Sequence, residues 1–231
     1  MFDGKMKALT FSYDDGVLQD ERLIDIFNKY QLKATFNLNS ECLGREGQLS
    51  LSGKQINHTK VDAKVVKKLY QGHEVAVHTL THPHLRKLEK DEIIFEVEQD
   101  RLNLSRIVDY QVYGMAYPCG GTNNDERVAG IIRDYTNVKY ARTIDCTYAF
   151  DVQNWLYQFN PTVYHMEFDK LFELGESFIN LKTDKPQIYY IWGHSYEFDI
   201  DNTWDQFEEF CKMISGHQDI FYGTNAEILL V

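Results

Sequence analysis

The stretch Glu74–Leu85, EVAVHTLTHPHL, brings two histidines, His78 and His82, to the end of a short apolar run. Imidazole is the commonest protein ligand for borderline metals such as zinc, and two or three such groups must converge to hold one. Pro83 biases His82 away from helical backbone angles, so the pair reads as a strand end entering a tight loop. Alone, an HxxxH spacing is weak, because loop histidines are often merely solvated. A second constellation strengthens it. Asp14 and Asp15 follow another apolar run and precede Gly16. Adjacent carboxylates after a strand point to different sides, so one can ligate a metal while the other acts as a base on water. The plain alternative is an Asp-Asp-Gly turn.

These groups need elements to carry them. Alternating apolar residues predict strands at Lys7–Tyr13, Lys33–Leu38, Glu74–His78, Gln111–Ala116, Val138–Arg142, Gln187–Trp192 and Asp219–Tyr222. Helical spacing predicts helices at Glu21–Tyr30, from the Asp62 N-cap to Tyr70, and at Lys90–Val108, Asp125–Tyr135, Glu167–Leu181, Trp204–Ile214 and Asn225–Leu230. Gly44–Gly53 reads as a polar loop, and residues 143–165 carry little periodicity. Strands alternating with helices, with no Pro- or Gly-rich linker, point to one α/β domain over 1–231 with parallel strands, either a barrel or an open doubly wound sheet. In such folds the C-terminal strand ends open onto one face. Five ends would then bring Asp14 with Asp15, His78 with His82, the Tyr117-Pro118-Cys119 segment, Arg142 and His194 to a common rim.

Composition narrows the function. The 231 residues are 43% hydrophobic and 26% charged, ordinary for a globular chain long enough to bury a sizeable core. The formal net charge of −11, from 35 acidic and 24 basic side chains, argues against nucleic acid or an anionic membrane as the main partner. No stretch approaches the length of a membrane span, and the first 16 residues hold no apolar run of signal-peptide length. Cys42, Cys119, Cys146 and Cys211 are widely spaced without a CxxC, which reads as free thiols and a cytoplasmic setting.

SYDDG (Ser12–Gly16) with HTLTH (His78–His82), in that order and at those strand ends, resembles the polysaccharide deacetylase family, carbohydrate esterase family 4. The resemblance runs from the first strand to His194 and implies a distorted (β/α)7 barrel resembling a TIM barrel. It implies a hydrolase that removes N-acetyl groups from amino sugars with a divalent metal, most often Zn2+. Carried to matching positions, Asp15, His78 and His82 would bind the metal, Asp14 would be the general base, and His194, in WGHS, would protonate the leaving amine. The family's third motif, RxPY before glycine, reads Ala116-Tyr117-Pro118-Cys119-Gly120 here. Ala116 replaces the arginine that orients the base, and Arg142 is the expected substitute. Tyr117 and Cys119 would border the substrate, the latter through a backbone N–H for the oxyanion. The fourth motif, an Asp and Trp, corresponds loosely to Asp151 and Trp155, whose indole could stack on a sugar ring or equally pack against the core. His73 is expected to cap a helix, His58 and His217 to be solvated, His84 to sit behind the metal ligands, and His165 to stay off the rim. The expected substrate is an acetylated amino sugar or small oligosaccharide; another small amide, imide or acetyl ester, or silent carbohydrate binding, are the alternatives.

Overall fold

The computed structural model describes residues 2–51 and 53–230. Its strands are β1 (Lys7–Asp14), β2 (Ala34–Leu38), β3 (Gln48–Leu51), β4 (Lys54–Asn57), β5 (Glu74–Val77), β6 (Gly114–Ala116), β7 (Tyr140–Arg142), β8 (Val163–Tyr164), β9 (Gln187–Gly193) and β10 (Ile220–Tyr222). The helices are α1 (Asp20–Lys29), α2 (Ala63–Leu69), α3 (Lys90–Val108), α4 (Glu126–Tyr135), α5 (Phe168–Asn180), α6 (Phe198–Asp201), α7 (Trp204–Ile214) and α8 (Asn225–Leu229). Eight strands form one parallel sheet in the order β7-β6-β5-β2-β1-β9-β8, with β10 against the start of β1. The sheet curls into a half-barrel.

β1 is buried from end to end. With a side-chain period of two, Leu9, Phe11 and Tyr13 enter the large core shared with the helices, while Ala8, Thr10, Ser12 and Asp14 line the other, concave face. The same alternation runs along β9, where Tyr189 and Ile191 join the helical core and Ile188 and Tyr190 face inward. Small polar residues on the inner face of β1 leave room for the buried groups described below. The helices cover the outer face with Phe27, Val97, Ile132, Phe178 and Phe207, all fully buried. Asp62 caps α2 as expected, its side chain accepting the Lys64 N–H at 2.8 Å.

Two departures from the sequence expectation matter. Gly44–Gly53 is not simply a loop, because β3 pairs antiparallel with β4 from Gln48↔Asn57 to Leu51↔Lys54. Leu49, Leu51 and Ile56 pack with Val17, Tyr196 and Ile200 in a small satellite cluster, so a three-residue apolar set carries the hairpin. The second departure is β8, which pairs with β9 from Val163↔Ile191 to Tyr164↔Trp192 and makes the sheet eight-stranded. Two residues are too few to produce a readable alternation.

Candidate active site

Asp14 ends β1 and is 2% exposed. Arg142, at the end of β7 and fully buried, grips it: one guanidinium nitrogen lies 2.5 Å from Oδ1 and also contacts Oδ2. Arg142 Nε donates to Ser12 Oγ at 3.2 Å, and Asn37 Nδ2 donates to Asp14 Oδ1 at 2.8 Å. Burial pushes the Asp14 carboxyl up, but Arg142, His78 and His194 together outweigh it and hold the group below its ordinary value. The Asp14 carboxylate is therefore kept ionised and oriented.

Asp15 turns to the other side, with φ +84. Its carboxylate and the rings of His78 and His82 offer ligand atoms within 4.8 Å of one another. His78 Nδ1 lies 3.0 Å from the Ala116 carbonyl, which can only accept, so Nδ1 carries the proton and Nε2 is left with its lone pair. Burial drives His78 down to about 4 against the pull of Asp14, and lowers His82 as well. Both imidazoles are neutral at pH 7, the form a metal needs. The donor set fits a divalent cation, and these three residues would hold it. Asp15, Thr79, His82 and Cys119 all adopt positive φ without being glycine. Such backbone costs of order 1–3 kcal/mol each and is retained where the surroundings fix a functional geometry. Part of that fixing comes from Asp100, fully buried on α3, which accepts the backbone N–H of His78 at 3.2 Å and of Ser40 at 2.7 Å.

His194 follows β9, its Nε2 3.9 Å from Asp14 Oδ2 and its Nδ1 3.1 Å from Glu197 Oε2. Burial opposes its charge, yet Glu197, Asp14 and Asp15 outweigh burial and raise it to about 9. His165 backs the pair: its Nε2 lies 2.8 Å from the same Glu197 oxygen, and its Nδ1 3.1 Å from the Tyr13 hydroxyl. Asp14, Asp15, His78, His82 and His194 border a cavity of about 220 Å³ lined also by Trp192, Tyr196, Ile144 and Cys119. Size alone does not pick it out. A cleft of about 580 Å³ along α2 is larger, but it gathers Lys64, Lys67 and Lys68 with no carboxylate.

Comparison with known proteins identifies the family and the fold. The polysaccharide deacetylase family profile matches residues 2–136, more than half of the sequence. The chain belongs to the polysaccharide deacetylase family. A comparison with curated protein sequences found no match. Among solved structures, the Xyl-CE4 domain of a multidomain xylanase from the hindgut metagenome of Trinervitermes trinervoides superposes with TM-score 0.61 at 17% identity, covering 97% of this chain and 90% of that one. A family 4 carbohydrate esterase from Streptomyces lividans gives 0.57 at 14% identity over 95% and 92%. A family 4 pseudoenzyme from Bacillus anthracis gives 0.58 at 17% identity over 96% and 65%. At these identities the structures establish the shared fold.

The polysaccharide deacetylase residues expected from the sequence gather at this rim, except the loosely matched pair Asp151 and Trp155. Trp155 lies elsewhere, 41% exposed and beside Tyr157, Arg133 and a separate surface cleft. The cause is topological: neighbouring Asp151 bridges Gln187, the first residue of β9, at the end of the sheet opposite the cavity. Trp192 supplies the indole at the cavity instead, over the Arg142 guanidinium at 4.8 Å. Tyr117 borders the cavity, although its hydroxyl donates away to the Tyr157 carbonyl at 2.7 Å. Cys119 Sγ lies 3.8 Å from His82 Nδ1.

Several histidines differ from expectation. His58 is not solvated but half-buried, 3.3 Å from Asp15 Oδ2. His73 is no helix cap: its Nδ1 accepts the Ala34 N–H at 3.2 Å inside the core. The pairing of Glu197, read from the sequence as a substrate contact, with His194 and the place of Lys60 beside Asp15 escaped sequence reasoning. The i,i+3 spacing of His194 and Glu197 is a signal that could have found the first; nothing in the sequence marks the second.

Proposed function

We propose that this metal-dependent hydrolase cleaves the N-acetyl amide of an amino sugar, in a monosaccharide or short oligosaccharide, with zinc held by Asp15, His78 and His82. The observation that carries the reading is the union, in one cavity, of that ligand cluster with a carboxylate and an imidazole driven to opposite charge states. When bound, the cation supplies Lewis acidity that acidifies water and polarises a carbonyl. A set of two imidazoles and one carboxylate suits zinc among borderline metals.

The chain's own residues do the rest. Asp14, fixed by Arg142 and Asn37, takes a proton from the attacking water. The backbone N–H of Cys119, a residue that lines the cavity, would donate to the developing oxyanion, a role that needs no particular side chain. His194, kept protonated beside Glu197, gives its proton to the departing amine, so water and amide become acetate and free amine. The arginine missing from the third motif removes no charge from the site, because Arg142 reaches the same carboxylate from β7. At about 220 Å³ the cavity is small beside ordinary ligand sites, which suits an acetamido group and the near edge of one sugar ring. In a cytoplasmic setting, soluble saccharides and nucleotide sugars are the substrates within reach.

The test is acetate release by zinc-loaded protein from N-acetylated mono- and oligosaccharides, run beside formamides, ureides, cyclic imides and acetyl esters. Turnover confined to the second group would move the assignment to another amide or ester on this scaffold. Saccharide binding with no turnover of either group would leave a silent carbohydrate-binding protein.

A further inference from the structure

The hairpin β3–β4 ends in a segment that runs straight to the metal-ligand cluster. Residues 59–61 lie alongside residues 16–18 as a short antiparallel stitch: Leu18 N–H donates to the Thr59 carbonyl at 3.0 Å, Val61 N–H to the Gly16 carbonyl at 2.9 Å, and Val17 bridges Lys60. On the other side Lys60 N–H donates to the Arg45 carbonyl at 2.9 Å. The backbone of Lys60 is thus fixed immediately beside the turn that follows Asp15. Its side chain is 9% exposed and puts Nζ 3.0 Å from Asp15 Oδ1. His58, two residues earlier, reaches Oδ2 of the same carboxylate at 3.3 Å and lies 3.5 Å from Lys60 Nζ. Oδ1 is also the oxygen that faces His82 Nε2, at 3.8 Å. One carboxylate oxygen therefore serves both the ligand cluster and a fixed ammonium.

We propose that Lys60 is a positioning residue that sets how tightly the cluster holds its cation, by competing with the metal for Asp15 Oδ1. The inference rests on the metal-binding reading of Asp15, His78 and His82. A buried ammonium within a few ångströms of a dication repels it strongly, since screening there is far weaker than in water. The same ammonium draws electron density from the shared oxygen and so weakens Asp15 as a donor. His58 engages the opposite oxygen and keeps the carboxylate from rotating to offer Oδ2 in its place. The arrangement yields a site whose metal exchanges more readily than its three ligands alone would allow.

A purely structural Lys60 and a competing Lys60 give opposite signs when the charge is removed. Damage to the scaffold loosens metal; loss of a competitor tightens it. The experiment strips the full-length wild type, Lys60→Met, Lys60→Gln and Lys60→Arg with a chelator, then titrates each with Zn2+ against a chromophoric competitor. Circular dichroism gives the fold of each variant. Lys60→Met and Lys60→Gln are expected to bind Zn2+ at least about tenfold more tightly than wild type, with Lys60→Arg restoring the wild-type affinity. Glutamine fills the site with a neutral donor, so the measurement stands if the methionine variant does not fold. Affinity unchanged or weakened in the folded neutral variants, while wild type still takes up zinc, overturns the role of Lys60 alone. No zinc uptake by any of the four proteins overturns the metal site and this inference together.

Discussion

Asp14 and His194 lie 3.9 Å apart, yet their surroundings push them to opposite charge states. For Asp14 burial favours the neutral acid, and Arg142 with the two histidines reverses that; for His194 burial favours the neutral ring, and Glu197 with the aspartates reverses it. The Asp14 carboxylate, the proposed base, is present above a lowered carboxyl value and is lost as pH falls through it. The His194 imidazolium, the proposed acid, is present below about 9 and is lost as pH rises through that value. A rate plateau across neutrality with a basic limb near 9 is expected. Glu197→Gln removes the largest stabilising charge on the imidazolium, so the basic limb of kcat/KM should move down by about one unit or more. A limb that stays in place in the variant would mean that Glu197 does not govern the acid. Arg142→Gln leaves Asp14 buried without its cation. We expect kcat to fall about a hundredfold, with a loss of about 3–5 kcal/mol in stability by chemical denaturation. An unchanged kcat would show that the arginine does not support the base.

At the level of elements, the proposed acid His194 depends on a glycine. Gly193 closes β9, and a Cβ there would lie 2.1 Å from the His165 ring, whose Nε2 supports Glu197. Gly193→Ala must therefore push His165 aside, and Glu197 and His194 with it. The expected result is at least about a tenfold loss of kcat with zinc stoichiometry preserved, because Asp15, His78 and His82 sit on other strand ends. Full activity in the alanine variant would sever His165 from the acid. This strand end also shows what could be read from the sequence. The Asp pair, the HTLTH loop and the WGHS histidine are contiguous with strong apolar runs, so their strand ends were legible. Arg142 was legible too, because a strand end fixes which face a residue joins. Trp155 was not, since a motif inside an aperiodic crossover does not reveal which end of the sheet it returns to. Lys60 and His58 arrive on a hairpin carried by Leu49, Leu51 and Ile56 alone, and their partner Asp15 lies more than 40 positions earlier. Glu197 was near enough in sequence, but its two-sided contact with His194 and His165 depends on β8 lying beside β9.

Across the whole molecule, the candidate metal ligands come from two nearby parts of the sheet. Asp15 follows β1, while His78 and His82 follow β5, with β2 between them. A cation bound to all three ties these segments across the mouth of the half-barrel in the folded state. The unfolded chain presents no such preformed cluster, so binding must add to folding stability. At a free zinc concentration of about 100 times the dissociation constant, linkage gives about 2.7 kcal/mol. For a chain of this size each kcal/mol moves Tm by roughly 2–4 °C. Stripping the metal should therefore lower Tm by about 5–11 °C in calorimetry, and zinc should restore it. The His78→Ala/His82→Ala double variant should have a Tm that ignores both chelator and zinc. Its own Tm reports the cost of the substitutions, so the zinc-dependent difference within each protein is the quantity to compare. Equal Tm values for stripped and zinc-loaded wild type would mean that the three ligands do not act together on a cation, and the assignment of Asp15, His78 and His82 would fail with that result.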